Sequence, residues 1–285
     1  MSVQSVSIPR PRRIFISIVL LLCGFIVMVF GSNYYSVFPT NDSQTFRAII
    51  AAIFLGAALL WRRNESMAQY SQIAYAFFIA TAAFFVTSLT AGLRDSLVRT
   101  LQVPIDTPRF MALTKLFEAS VVIALILLLN LLWGEGLGSL YIQKGRLGLG
   151  LFIGLSLLAI NAATGIVTGA TLGHAGEQLV ARLPWALLFA LANGLMEELW
   201  FRGLFLRRFA SVIGVVGAII VTSIPFTVMH AAASYMNPTE AILFQLIIFP
   251  MALLFAYLMY KLDNLWGSAL YHAGSDVFLF YLMAW

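Results

Sequence analysis

Long apolar runs broken by short polar and basic connections recur along the whole chain. A helix needs about 20 residues to cross roughly 30 Å of hydrocarbon, fewer where polar ends are tolerated. Nine windows approach that length, at about 14–31, 48–61, 73–93, 113–133, 147–169, 184–206, 213–231, 239–260 and 264–283. The count becomes eight if the short 48–61 run does not cross. The pattern predicts an all-α fold, a polytopic bundle of transmembrane helices. The longest connections are 94–112, with Pro104 and Pro108, and the glycine-rich 134–146, which breaks helix before the fifth window. A boundary there separates four amino-terminal spans (1–146) from a carboxy-terminal group (147–285). Only the second group carries ionisable residues in mid-span, which places function at 184–283.

Composition agrees with the pattern. With 61% hydrophobic and 10% charged residues, and a mean hydropathy of +0.92, the chain has too few polar side chains to cover a water-soluble globule. The net charge of +5 does not indicate nucleic acid, because the basic residues gather at the ends of apolar windows, as topology determinants do. With the amino terminus in the cytoplasm, ten flanking basic residues fall inside. Six fall outside: Arg47, Arg94, Arg99, Arg109, Lys115 and Arg182. The chain reads as a multi-pass protein of a prokaryotic plasma membrane in that orientation. Arg10, Arg12 and Arg13 resemble a signal peptide's basic flank, but the apolar run after them is too long and no cleavage site follows. The lone Cys23 cannot form an internal disulfide. The glycines between Gly134 and Gly150 lack the preceding strand and the Gly-Lys-Ser/Thr of a phosphate loop. The pairs Gly150/Gly154 and Gly165/Gly169 read as close helix packing.

The chemistry-bearing residues lie in three of the last four windows. Glu197 and Glu198 interrupt an apolar stretch with Arg202 four residues on. Helical spacing puts Glu198 and Arg202 on one face as an ion pair, leaving Glu197 about 100° away with Asn193 and Gly194 one turn back, available for water or a metal. His230 ends the run Pro225-Phe-Thr-Val-Met-His. His272 and Asp276, again four apart, form a polar stripe with Ser268 and Ser275. Either histidine alone reads as a hydrogen-bonded core residue; with Glu197 they make one polar cluster from each of three helices. Asn130 and Asn161 read as structural, bonding backbone or neighbouring helices. No serine or cysteine is paired with a base as a nucleophile, so peptide hydrolysis by activated water fits best. Two cofactor readings stand side by side. One is a divalent metal such as zinc on Glu197, His230 and His272; the other is metal-free carboxylate catalysis, since no His-Glu-x-x-His helix is present.

The stretch 184–280 resembles the CPBP family, the CAAX prenyl proteases and bacteriocin-processing enzymes also called the Abi family. Glu197-Glu198-x-x-x-Arg202 matches its EExxxR motif, Phe226-x-x-x-His230 its FxxxH motif, and His272-x-x-x-Asp276 a third usually written HxxxN. The resemblance implies a glutamate-dependent intramembrane endopeptidase in which Glu197 and His272 position and activate water. It implies that His230 and residue 276 stabilise the oxyanion, with Glu198 and Arg202 in supporting positions. Asp276 departs from the usual asparagine, and an ionised aspartate would repel a developing oxyanion. The partners implied are membrane lipid and a peptide or membrane-protein substrate, with the oligomeric state open. Two further classes fit the residues: a non-catalytic scaffold or bacteriocin-immunity protein, and a proton-coupled transporter. The transporter lacks the paired broken helices of such folds.

Overall fold

The computed structural model describes residues 9–33, 39–105, 107–234 and 238–282, and among these every regular element is helical. The helices are α1 (Arg10–Gly24), α2 (Thr40–Arg62), α3 (Ala68–Thr100), α4 (Pro108–Leu132), α5 (Leu147–Thr171), α6 (Gly176–Glu197), α7 (Leu206–Ile213), α8 (Val215–Ser234), α9 (Pro238–Leu262) and α10 (Trp266–Leu282). Each of the nine apolar windows falls on a helix, although residue 283, at the end of the last window, lies outside the described residues. Among the described residues, seven helices are long and apolar enough to cross a membrane. Of the other two windows, α8 is apolar but shorter, and α10 has 17 residues and carries the polar stripe.

Several boundaries differ from the sequence reading. The second window is not short, because α2 begins in the polar stretch before it and runs 23 residues. The connection drawn at 94–112 is largely helix. Apolar run length marks where lipid contact ends, whereas the backbone hydrogen bonds of α3 continue through its charged end to Thr100, where Arg94 and Asp95 pair at 2.8 Å. Helix then resumes at Pro108, whose missing N–H costs nothing in a first turn, with Thr107 Oγ1 accepting from Phe110 N at 3.2 Å. The sixth window resolves into α6, a π-helical turn at Glu198–Gly203, and α7.

Two compact units emerge, each drawn from both halves of the chain. The first comprises Met1–Ser88 and Phe201–Tyr257. In it Gly24 of α1 faces Pro225 of α8 so closely that a Cβ would stand 2.9 Å from the proline ring. The helix α8 continues through Pro225. Phe77 packs against Phe54 and Phe205 at ring separations of 5.0 and 4.8 Å. Arg47, read from the sequence as an outer flanking charge, is instead buried. Its Nε donates to Gly31 O at 2.6 Å and its Nη2 to Ser32 O at 2.9 Å. These carbonyls follow the π-helical end of the first span, Phe25–Phe30, where a helix leaves acceptors without an internal partner.

The second unit comprises Leu89–Trp200 and Leu258–Trp285, and its central packing is α10 against α5 and α6. The buried residues of α5 are four of its five glycines, Gly150, Gly154, Gly165 and Gly169. A Cβ on Gly154 would stand 2.7 Å from Leu270 Cβ, and one on Gly165 3.0 Å from Phe278 Cα, so both small-residue pairs serve close packing, as their spacing implied. Gly274 returns the contact from α10, where a Cβ would meet Leu158 Cα at 2.8 Å. The 134–146 connection is tied to the turn before α10: Leu265 N donates to Tyr141 O at 3.0 Å and Arg146 N to Leu262 O at 2.7 Å. Asn130 and Asn161 bond backbone carbonyls, as expected of them.

Candidate active site

Glycine sets the distance between the two helices that build the site. A Cβ on Gly194 of α6 would lie 2.8 Å from Ala269 O and 2.9 Å from Ala273 N, so only a residue without a side chain lets α6 come this near the α10 backbone. One turn later Glu197 and Glu198 project from α6 and the start of its π turn, and α10 presents His272 between Ala269 and Ala273. An extra residue per turn at a π segment re-aims the side chains around it, and such turns recur at functional sites.

His272 is the centre of the cluster. Its Nδ1 meets Glu198 Oε1 at 2.9 Å, while Nε2 stands 3.6 Å from Glu197 Oε2 and 3.8 Å from Asp276 Oδ1. Ser268 Oγ donates to the other oxygen of Glu198 at 2.5 Å. Asn193 Nδ2 donates to Asp276 Oδ2 at 3.0 Å. Glu198 is wholly enclosed, and Glu197 and His272 are each 4% exposed. Buried charges persist only when paired or hydrogen-bonded, and here three carboxylates share one imidazole and two neutral donors.

The expected division of labour between the glutamates changes at Glu198. Its carboxylate holds the imidazole and Ser268, so it does more than orient α6. Glu198 takes the Nδ1 position of His272, and Asp276 is held by Asn193. Ser268, His272 and Asp276 form the stripe that four-residue spacing gave. Ser275 leaves it, bonding Tyr271 O of its own helix. Asn193 had been placed on the face of Glu197, but spacing along one helix could not show that its partner would be Asp276, 83 residues on.

Arg202 and His230 belong to the first unit. Arg202 is fully buried, with its guanidinium 3.8 Å from the centre of the Phe226 ring and its Nη2 donating to Ala252 O at 3.4 Å. His230 Nδ1 lies 2.7 Å from Phe226 O, and its ring packs against Phe226 at 4.3 Å. The spacing of Phe226 and His230 is thus a local device: one turn of α8 brings the imidazole onto the preceding carbonyl and ring.

Among the described residues, no three His, Cys, Asp or Glu side chains converge as metal ligands. In the second unit Glu198 takes one imidazole nitrogen, and the oxygens nearest the other stand 3.6 and 3.8 Å away.

Residues 178–278 match the family model of the type II CAAX prenyl endopeptidases described as Rce1-like. The match begins in the first turn of α6, ends in α10 and includes all seven motif residues. It supports the CPBP or CAAX protease family for this segment, and with the apolar helices it supports a multi-pass intramembrane endopeptidase. No curated protein and no solved structure shows significant similarity to the chain.

Proposed function

We propose that the protein cleaves a peptide bond in a membrane-anchored substrate with water activated by Glu197 and His272. The observation that carries this reading is the clamp on His272. A carboxylate at Nδ1 fixes the tautomer and ring orientation, so Nε2 faces the two remaining acids, the logic by which a triad acid orients its histidine. In this reading a water held beside Nε2 and Glu197 Oε2 loses its proton to Glu197 as it attacks the peptide carbonyl. The leaving amine then takes that proton, Glu197 acting first as base and then as acid. His272 holds the water and stabilises the negative charge that develops in the attack. Ser268 and Asn193 keep Glu198 and Asp276 from turning toward the water. Roles for Arg202 and His230 rest on the family motif alone, as does an oxyanion role for residue 276.

We take the metal-free reading first; a zinc site on Glu197, His230 and His272, drawn from both units, is the alternative, and a carboxylate on the far imidazole nitrogen suits either. Metal analysis of the purified protein, with activity before and after chelation, tests it: stoichiometric metal whose removal abolishes cleavage would restore the zinc reading. The amino terminus is taken as cytoplasmic on the charge bias of ten flanking basic residues against six. The experiment for the function as a whole is comparative proteomics of membranes from cells carrying wild-type protein or Glu197→Gln. Substrates should accumulate uncut in the variant. Identical membrane peptides at equal protein abundance would point instead to a non-catalytic scaffold. A matched pair of peptides, with and without an isoprenoid on the cysteine, then tests whether the substrate is of the prenylated class.

A further inference from the structure

Six basic residues run against the amino-terminus-in orientation, and a charge on the translocated side is retained against the usual tendency. Two of them, Arg109 and Arg182, line one open pocket of about 310 Å³ in the second unit, together with Thr107, Gln178 and Trp185. The pocket lies where α4 and α6 both begin, and the helices run parallel from it: Arg109 stands 5.6 Å from the Trp185 ring, and further along Lys115 stands 5.9 Å from Phe189. Among the described residues, no carboxylate lines it. Arg182 Nη1 is enclosed and has no hydrogen-bond partner. A guanidinium nitrogen withdrawn from water without an acceptor costs free energy, and the cost is recovered when an anion supplies the acceptor.

We infer that this pocket binds the phosphate of an anionic phospholipid, with Arg109 and Arg182 as its cationic clamp and Gln178 as a neutral donor at its edge. Two forked guanidinium groups suit a tetrahedral oxyanion better than ammonium groups do. The start of α4 adds a modest favourable field for negative charge. A lipid is favoured over a free phosphate by the surroundings. Both helices are long enough to cross the bilayer, so their ends stand at headgroup depth. Trp185 has the amphipathic ring that collects at that depth, and Val180 on the same helix is 73% exposed, an apolar surface for an acyl chain.

The test uses the full chain in neutral detergent and a fluorescent short-chain phosphatidylglycerol, competed with unlabelled phosphatidylglycerol, phosphatidylcholine or inorganic phosphate. Phosphatidylglycerol should compete at a concentration at least about tenfold lower than phosphatidylcholine, whose choline cation is repelled by the two guanidinium groups. Inorganic phosphate should not compete at that concentration. The double variant Arg109→Gln/Arg182→Gln should raise the dissociation constant at least about tenfold. Because that variant could perturb the helix ends, Gln178→Glu, on an exposed side chain, provides a second route by placing a negative charge at the pocket edge. Arg10→Gln/Arg13→Gln, at the start of α1, should leave binding unchanged. Equal competition by phosphatidylcholine, full competition by inorganic phosphate, or unaltered affinity in both pocket variants would overturn the inference. So would an equal loss in the α1 variant, which would mean general attraction to basic surface.

Discussion

The two units bury charge in opposite ways. In the first, the buried Arg47 and Arg208 donate to backbone of their own unit, Arg47 to Gly31 O and Ser32 O and Arg208 to Leu204 O at 2.7 Å. Such contacts close helix ends and fix helix positions. In the second, three acids surround one histidine, and the groups that hold them in place are side chains from other turns and another helix. A cation bound to carbonyls is spent on structure. Carboxylates sharing an imidazole keep proton-accepting capacity, which is what chemistry on water requires. The comparison teaches that burial of an ionisable group inside a membrane protein is a functional signal only once its partners are known.

The sharpest way to break this contrast is Glu197→Gln. If the second unit's acids do chemistry, cleavage should fall by about 10²–10⁴-fold, the range of general acid–base catalysis, with the melting temperature close to wild type. Retained turnover in a purified protease assay would remove Glu197 from the reaction. Glu198→Ala should differ by costing stability as well, about 3–5 kcal/mol, because it strands the His272 Nδ1 and Ser268 hydroxyl donors in a dry interior. Thermal unfolding in detergent measures it, and equal stability in the two variants would erase the distinction between a reacting and a clamping glutamate.

Gly194→Ala probes the scaffold beneath both. Its Cβ would press on Ala269 O and Ala273 N, so the helices must separate at a cost of about 1–3 kcal/mol, and activity should drop because His272 moves with α10. Normal activity with normal stability would show that the close approach is not required. In the first unit, Arg47→Leu should cost about 1–3 kcal/mol for carbonyls left without donors, while kcat of the folded fraction stays near wild type. A kcat lost in step with a Glu197 variant would contradict the structural reading of the buried arginines. The smallest effect is expected of Asp276→Asn. The amide oxygen can still accept from Asn193, so the change exchanges a charged for a neutral hydrogen bond, about 1 kcal/mol, and activity should be largely kept. Loss by orders of magnitude would mean that the Asp276 charge itself takes part.

Much was legible in the chain before any tertiary contact was known. Apolar run length placed nine windows that fall on helix, because lipid imposes a minimum length and rejects unpaired backbone. Four-residue spacing put Ser268, His272 and Asp276 on one face, and the small-residue pairs of α5 announced close packing. These are properties of a single helix, fixed by its own periodicity. What spacing could not give was every partner lying on a different helix. It assigned Glu198 to Arg202 within its own turn, but could not foresee that Glu198 would clamp His272, 74 residues later, or that Asn193 would hold Asp276. It counted Arg47 as a flanking charge but could not show its acceptors, which lie 15 and 16 residues upstream. The sequence determined which segments are helices and which face of each is polar. Only the tertiary structure decided which polar faces meet, because that depends on how near two backbones can come, and at this site the distance is set by the missing side chain of Gly194.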